Sequence, residues 1–127
     1  MKKMAMEYLA VGCLGFLGAV SRFFVARLFA FSTFPAGTLV VNVTGSLFLG
    51  WFVTVAGDRL GISEAVRMSI AVGFVGAYTT FSTYMYESNR MLEDGAWIGA
   101  LLYILGSIVL GLIAVRLGIM LGHRMNS

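Results

Sequence analysis

The sequence predicts an all-α integral membrane protein, with four transmembrane helices in a single domain spanning residues 1–127. Three observations carry that expectation. Charged residues make up 12% of the chain, half of the roughly 25% that a water-facing domain carries, and the mean hydropathy is +0.89. Four apolar stretches, at residues 4–31, 38–56, 65–88 and 95–121, approach or exceed the ~20 residues needed to cross a hydrocarbon core of roughly 30 Å. Glycine is abundant, at 16 residues against one proline, as in membrane helices whose backbones approach closely at small residues. The turns between the stretches, 32–37, 57–64 and 89–94, have lengths that join antiparallel neighbours. No ten-residue segments alternate apolar and polar side chains as a barrel requires.

In the first stretch, Lys2 and Lys3 precede the apolar run, and Val11-Gly12-Cys13 resembles a lipoprotein cleavage site. Glu7 interrupts the run, and Ala10 stands three residues before Cys13 where a leucine is usual, so cleavage is not expected. A lone cysteine forms no intrachain disulfide and no cysteine-based metal framework, and Cys13 reads as a small packed side chain. Arg22 lies ~27 Å along a helix beginning at Met4. Two roles stay open for it: snorkelling to the far interface, or lining a vestibule that attracts anions.

The second stretch contains GTLVVNVTGSLFLG (residues 37–50). Thr38, Asn42, Ser46 and Gly50 recur every fourth residue and share one helix face, with Gly45 widening the gap beside them. Thr38 and Ser46 read as interhelical hydrogen-bonding groups. Asn42 is a different case, because a mid-membrane amide has two donors and an acceptor to satisfy and polar groups at that depth are usually functional. The third stretch contains GFVGAYTTFSTYMYE (residues 73–87). Gly73, Gly76 and the clustered Thr79, Thr80, Ser82 and Thr83 predict a helix break near residues 76–80. Such a break is tolerated only inside protein or beside a cavity, where its carbonyls can hold a cation. Phe81 and Tyr84 are three residues apart and share one face, which by itself reads as ordinary packing. Thr79, Thr83 and Glu87 form a polar row. In the fourth stretch Gly95, Gly99, Tyr103, Ser107 and Gly111 recur every fourth residue. They predict a close helix crossing with two hydroxyls in its seam.

Charge and missing motifs narrow the function. The net charge of +3 comes from 9 Lys/Arg and 6 Asp/Glu, scattered singly, without the basic stripe of a nucleic-acid binder. No nucleotide-binding, zinc-hydrolase or serine-hydrolase motif occurs, and no Asp or Lys sits mid-helix as a proton carrier. An enzyme is therefore not expected. Lys2, Lys3, Arg59, Arg67 and Arg124 lie on the side of the termini, against Arg27 and Arg90 on the other, which favours cytoplasmic termini. Four helices of this length fill their own centre with side chains, so a solute pathway implies an oligomer.

GFLGAVSRF (residues 15–23), GTLVVNVTGSLFLG and GFVGAYTTFSTY (residues 73–84), in this order and spacing, closely resemble the bacterial fluoride channels, the Fluc or CrcB family. The resemblance covers essentially the whole chain. It implies an antiparallel dual-topology homodimer in the cell membrane, with two fluoride pores that export cytoplasmic fluoride passively. It also implies a structural sodium ion at the dimer centre, held by the backbone carbonyls of Gly76 and Thr79. Phe81 and Tyr84 would form the ring box along each pore, Asn42 would contribute a donor, and Ser82, Thr83 and Glu87 would form a polar track. Tyr103, Ser107 and Arg22 complete the expected fluoride pathway. Fluoride is small and strongly hydrated, so a pore must replace its water with donors, and ring edges face an anion without trapping it.

The chain departs from the family twice. Tyr84 stands where the family usually has phenylalanine, which keeps the ring edge and adds a hydroxyl. The five-to-two charge bias is larger than dual topology suggests, and some family members pair as heterodimers. Two other classes compete with this resemblance. A small dual-topology multidrug transporter needs a carboxylate inside its first helix, whereas Glu7 lies at the edge and Glu87 ends the third stretch. A non-transporting assembly subunit would explain the glycine stripes but not Asn42 beside TTFSTY.

Overall fold

The computed structural model describes residues 1–126, and among them only helices and turns occur. Helix α1 spans Lys2–Leu28 and α2 spans Ala36–Asp58. The next segment begins with α3, Glu64–Met68, continues through a π-helical stretch, Ser69–Val75, and ends its first half with α4, Gly76–Tyr78. Helix α5, Phe81–Glu93, is the second half, and α6 covers Trp97–Asn126. Helices α1, α2 and α6 are each long and apolar enough to cross a membrane. The third segment is divided into halves shorter than the ~20 residues a single span needs.

The ends have local causes. Helix α1 stops at Leu28, three residues before the expected end, and turns through Phe29 N–H to Ala26 O and Ser32 N–H to Phe29 O. Pro35 then disfavours a helical Phe34 and starts α2. Ser63 accepts from Val66 N–H and caps α3. Helix α5 closes in a Schellman motif: Gly95 (φ 78°) donates to Leu92 O, and Ala96 donates to Met91 O. Gly95 therefore belongs to the turn and not to the α6 stripe.

Small residues set how the helices meet. Helix α1 runs parallel to the first half of the third segment, with Gly73 against Val11 and Leu14, and Gly18 against the Phe74 carbonyl. Helix α2 runs parallel to α6 in the most extensive packing of the chain, Gly50 meeting Val115, Gly118 the Leu47 carbonyl and Gly122 Thr54. A β-carbon at Gly18, Gly50 or Gly118 would overlap backbone atoms of the facing helix. The α2–α6 crossing is therefore tightest at Gly118, beyond the α6 stripe that the sequence singled out, and at Gly50, the last member of the α2 stripe. Val41, Val55, Ala56, Ala100, Tyr103 and Ala114 are buried, and the outward face is a belt of exposed Phe, Leu, Ile and Val, as lipid contact demands. Cys13, read above as a packed side chain, lies on this exposed face.

Candidate ion pathway

The π-helical stretch and α4 lead into a break of two extended residues, Thr79 (φ −83°, ψ 159°) and Thr80 (φ −149°, ψ 120°). Gly76 keeps helical angles, so the break falls at the end of the expected window and not at its glycine. Asn42 of α2 holds it. Its Oδ1 accepts from Thr80 N–H at 2.8 Å and its Nδ2 donates to Thr80 O at 3.0 Å. One face-on amide thus replaces both helical partners of Thr80, and one Nδ2 hydrogen is left over. Gly45 lets the break rest on α2, because a β-carbon there would overlap the Thr79 methyl. Thr80 Oγ1 then caps α5 by accepting from Thr83 N–H at 3.2 Å.

Two carbonyls lose their α-helical donors in this arrangement. Gly76 O would take Thr80 N–H, which goes to Asn42, and Thr79 O would take Thr83 N–H, which goes to Thr80 Oγ1. These are the two oxygens expected to hold sodium. Hard oxygen donors suit such a cation, and no cluster of three His, Cys, Asp or Glu that could bind a metal occurs among the described residues. Both are oxygens of the right type, Gly76 O without its helical donor and Thr79 O shared with the Arg22 guanidinium. Arg22 lies beside them, its Nη1 donating to Thr79 O at 3.4 Å.

The expected rings meet. Phe81 and Tyr84 pack edge-on with centroids 6.1 Å apart, Tyr84 and Tyr103 at 5.2 Å, and Tyr103 and Phe34 at 5.4 Å. Phe81 is 73% exposed and Tyr84 6%, so the series starts at the open face and runs into the bundle. The Tyr84 hydroxyl donates to Ile104 O at 2.6 Å and is thereby turned toward α6. Glu87 accepts from Thr38 Oγ1 and from Tyr103 OH, each at 2.9 Å, one on each carboxylate oxygen. It joins α2, α5 and α6. Ser82 and Thr83 are exposed, 3.5 Å and 3.0 Å from the Thr80 hydroxyl. Ser107 presents a buried Oγ with no hydrogen-bond partner among the described residues. The anticipated row of Thr79, Thr83 and Glu87 is altered: the break removes Thr79, whose hydroxyl bonds back to Val75 O at 2.9 Å, and Thr80 takes its place.

Two grooves flank the Asn42–Thr80 pair. One, of about 330 Å³, is lined by Asn42, Ser46, Thr79, Thr80, Phe81, Tyr84 and Ser107 among others. The other, of about 350 Å³, is lined by Arg22, Phe23, Thr38, Thr80 and Thr83. Thr80 lines both. Sequence reasoning did not single out Thr80, Phe34 or the Thr38–Glu87 bond. Thr80 was hidden because a residue's role at a break depends on which of two adjacent threonines leaves the helix. Phe34 lies in a turn without periodicity.

These features define a multi-pass helical membrane protein with a broken helix whose neutral donors and ring edges face open grooves. The family model described as "CrcB-like protein, Camphor Resistance (CrcB)" matches residues 9–119, and the chain belongs to that family. Similar proteins include three named "Fluoride-specific ion channel FluC". The one from Trichormus variabilis is 44% identical over 119 residues, covering 91% of this chain and 87% of its own length. That from Acidobacterium capsulatum is 43% identical over 124 residues, covering 94% and 98%. That from Synechococcus sp. is 40% identical over 117 residues, covering 90% and 88%.

Proposed function

We propose that the chain is a fluoride-selective channel of the cell membrane, working as an antiparallel dual-topology homodimer with two pores and letting cytoplasmic fluoride leave passively. The observation that carries this is the amide of Asn42. It fixes a helix break inside an apolar bundle and keeps one N–H directed at no protein acceptor, next to edge-on rings and free hydroxyls. The name borne by the relatives at 40–44% identity supplies the anion.

In this proposal the whole chain is one four-helix transmembrane domain, its third crossing made by the two halves on either side of Thr79 and Thr80. The groove bearing Asn42, Phe81, Tyr84 and Ser107 is one part of the path, and the groove bearing Arg22 and Thr83 another. Fluoride sheds water only where donors replace it, and Asn42 Nδ2 and the Ser82, Thr83 and Ser107 hydroxyls are such donors. Ring edges of Phe81 and Tyr84 carry the positive side of the aromatic quadrupole. Thr38 and Tyr103 hold Glu87 with both oxygens occupied, so its charge is tied to protein donors. Neutral donors keep binding weak enough for release, as conduction requires. A sodium ion bound by the Gly76 and Thr79 carbonyls of two chains would add a fixed positive charge at the dimer centre.

The test is fluoride efflux from liposomes that contain only this purified protein, read with a fluoride electrode against a chloride control. Rapid, fluoride-selective efflux is expected. A preparation that is folded yet releases neither ion would overturn the homodimeric channel and favour the paired-chain alternative raised by the five-to-two distribution of basic residues.

A further inference from the structure

Helix α1 is 27 residues long, which at ~1.5 Å per residue gives ~40 Å and exceeds a hydrocarbon core of ~30 Å. Its charged first turns therefore stand in the headgroup layer. There α1 and α3 part. The two segments touch closely where Gly73 meets Val11 and Leu14, while Met4 and Tyr8 on one side and Met68 on the other line an open groove of about 670 Å³. Its lining is apolar at Met4, Val11, Met68 and Val72 and charged at Lys3, Glu7 and Glu64. Lys3 and Glu7 are four residues apart on one helix face, a spacing at which they pair readily. Even so, neither they nor Glu64 make an ion pair or side-chain hydrogen bond with another described residue. Glu7 is half-buried, and a carboxylate partly withdrawn from water calls for a cationic partner.

We propose that this groove binds a zwitterionic phospholipid carrying a primary ammonium, of the phosphatidylethanolamine type. The ammonium has three N–H donors for Glu7 and Glu64, the phosphate meets Lys3, and the acyl chains lie on Met4, Val11, Met68 and Val72. Two carboxylates and one ammonium in the groove's lining complement a headgroup with donors at its tip. They disfavour an anionic lipid, and a quaternary ammonium offers the carboxylates no hydrogen bond. The groove shares no lining residue with the grooves at the helix break and does not rest on the fluoride reading.

The test is the melting temperature of the full chain in detergent, with dioleoyl-phosphatidylethanolamine, dioleoyl-phosphatidylcholine or dioleoyl-phosphatidylglycerol added at equal concentration. Phosphatidylethanolamine should raise Tm by about 4 °C more than the other two at saturating lipid. Glu7→Gln combined with Glu64→Gln should remove that difference while leaving the Tm in detergent alone unchanged. Equal shifts with all three lipids, or the largest shift with the anionic one, would overturn the proposal, as would a preference that survives the double substitution. The lipid series on the unsubstituted protein decides the matter even if the double variant is poorly folded.

Discussion

Asn42 commits one N–H and its oxygen to Thr80 and has a second N–H hydrogen, so in the proposed channel removing the amide acts on structure and pathway together. Asn42→Ala leaves the Thr80 N–H and C=O without partners, at a cost of about 1–3 kcal/mol for each group that stays unsatisfied. A clear fall in Tm and a fluoride flux at least ~10-fold lower, which ~1.4 kcal/mol at the barrier would produce, are expected from thermal melts and liposome efflux. Unchanged flux with intact folding would remove Asn42 from the pathway. Tyr84 separates the two effects. Its hydroxyl bonds Ile104 O and its ring meets Phe81 and Tyr103. Tyr84→Phe keeps the ring edges, so flux should stay near that of the unsubstituted protein while stability falls by about 0.6 kcal/mol, the average worth of an interhelical bond in a membrane. Tyr84→Ala takes the ring away and should abolish flux; normal efflux in that variant would reject a pore-lining Tyr84. Asn42 was legible in the sequence because a mid-membrane amide must find partners, and the Phe81–Tyr84 contact because residues three apart share a helix face. The Thr38–Glu87–Tyr103 bonds were not, since they join residues 49 and 16 positions apart on three helices.

At the scale of elements, apolar length was enough to foretell α1, α2 and α6 to within a few residues, because the bilayer fixes how much apolar chain a helix must present. The break was legible from its Thr/Ser cluster and falls inside the expected window of residues 76–80, but which residues unwind was not legible, because Asn42 on another helix holds Thr80. The π-helical stretch at Ser69–Val75 left no mark in the sequence pattern. Glycine spacing was a partial guide. Every fourth position marked a seam in α6, yet the closest backbone approach is at Gly118, whose β-carbon would overlap the Leu47 carbonyl, while Gly106 has open space around it. Gly118→Leu should therefore part α2 from α6, and Gly106→Ala should be silent. Gel filtration of the detergent-extracted variants, with Tm, reads the difference: loss of the monodisperse peak for the first and an unaltered profile for the second. Equal behaviour of the two would mean that the α2–α6 crossing is not the main seam of the bundle.

For the molecule as a whole, one chain presents two carbonyls at the break and grooves that open to its outer face, which is half of what a pore with a central sodium needs. An inverted second copy would bring two more carbonyls to the same point, so the cation and the opposed topology belong to one expectation. Of the chain's 9 Lys/Arg, Lys2, Lys3, Arg59, Arg67 and Arg124 near helix ends lie on the side of the termini, against Arg27 and Arg90 on the other, a bias that by itself favours cytoplasmic termini. These tendencies conflict, and labelling separates them. Cys13 is exposed and must first be replaced, as Cys13→Ser, before a single cysteine is added after Ser127. In intact cells a membrane-impermeant maleimide should then reach about half of the added thiols, the remainder reacting only after permeabilisation. Substituting a bulky organic cation for sodium in the purified protein should lower Tm in the same preparation, because the carbonyls of both copies would be left facing one another without a counter-charge. Labelling confined to one side, together with a Tm indifferent to sodium, would eliminate the inverted homodimer and leave a partner chain of opposite orientation as the way to complete the pore.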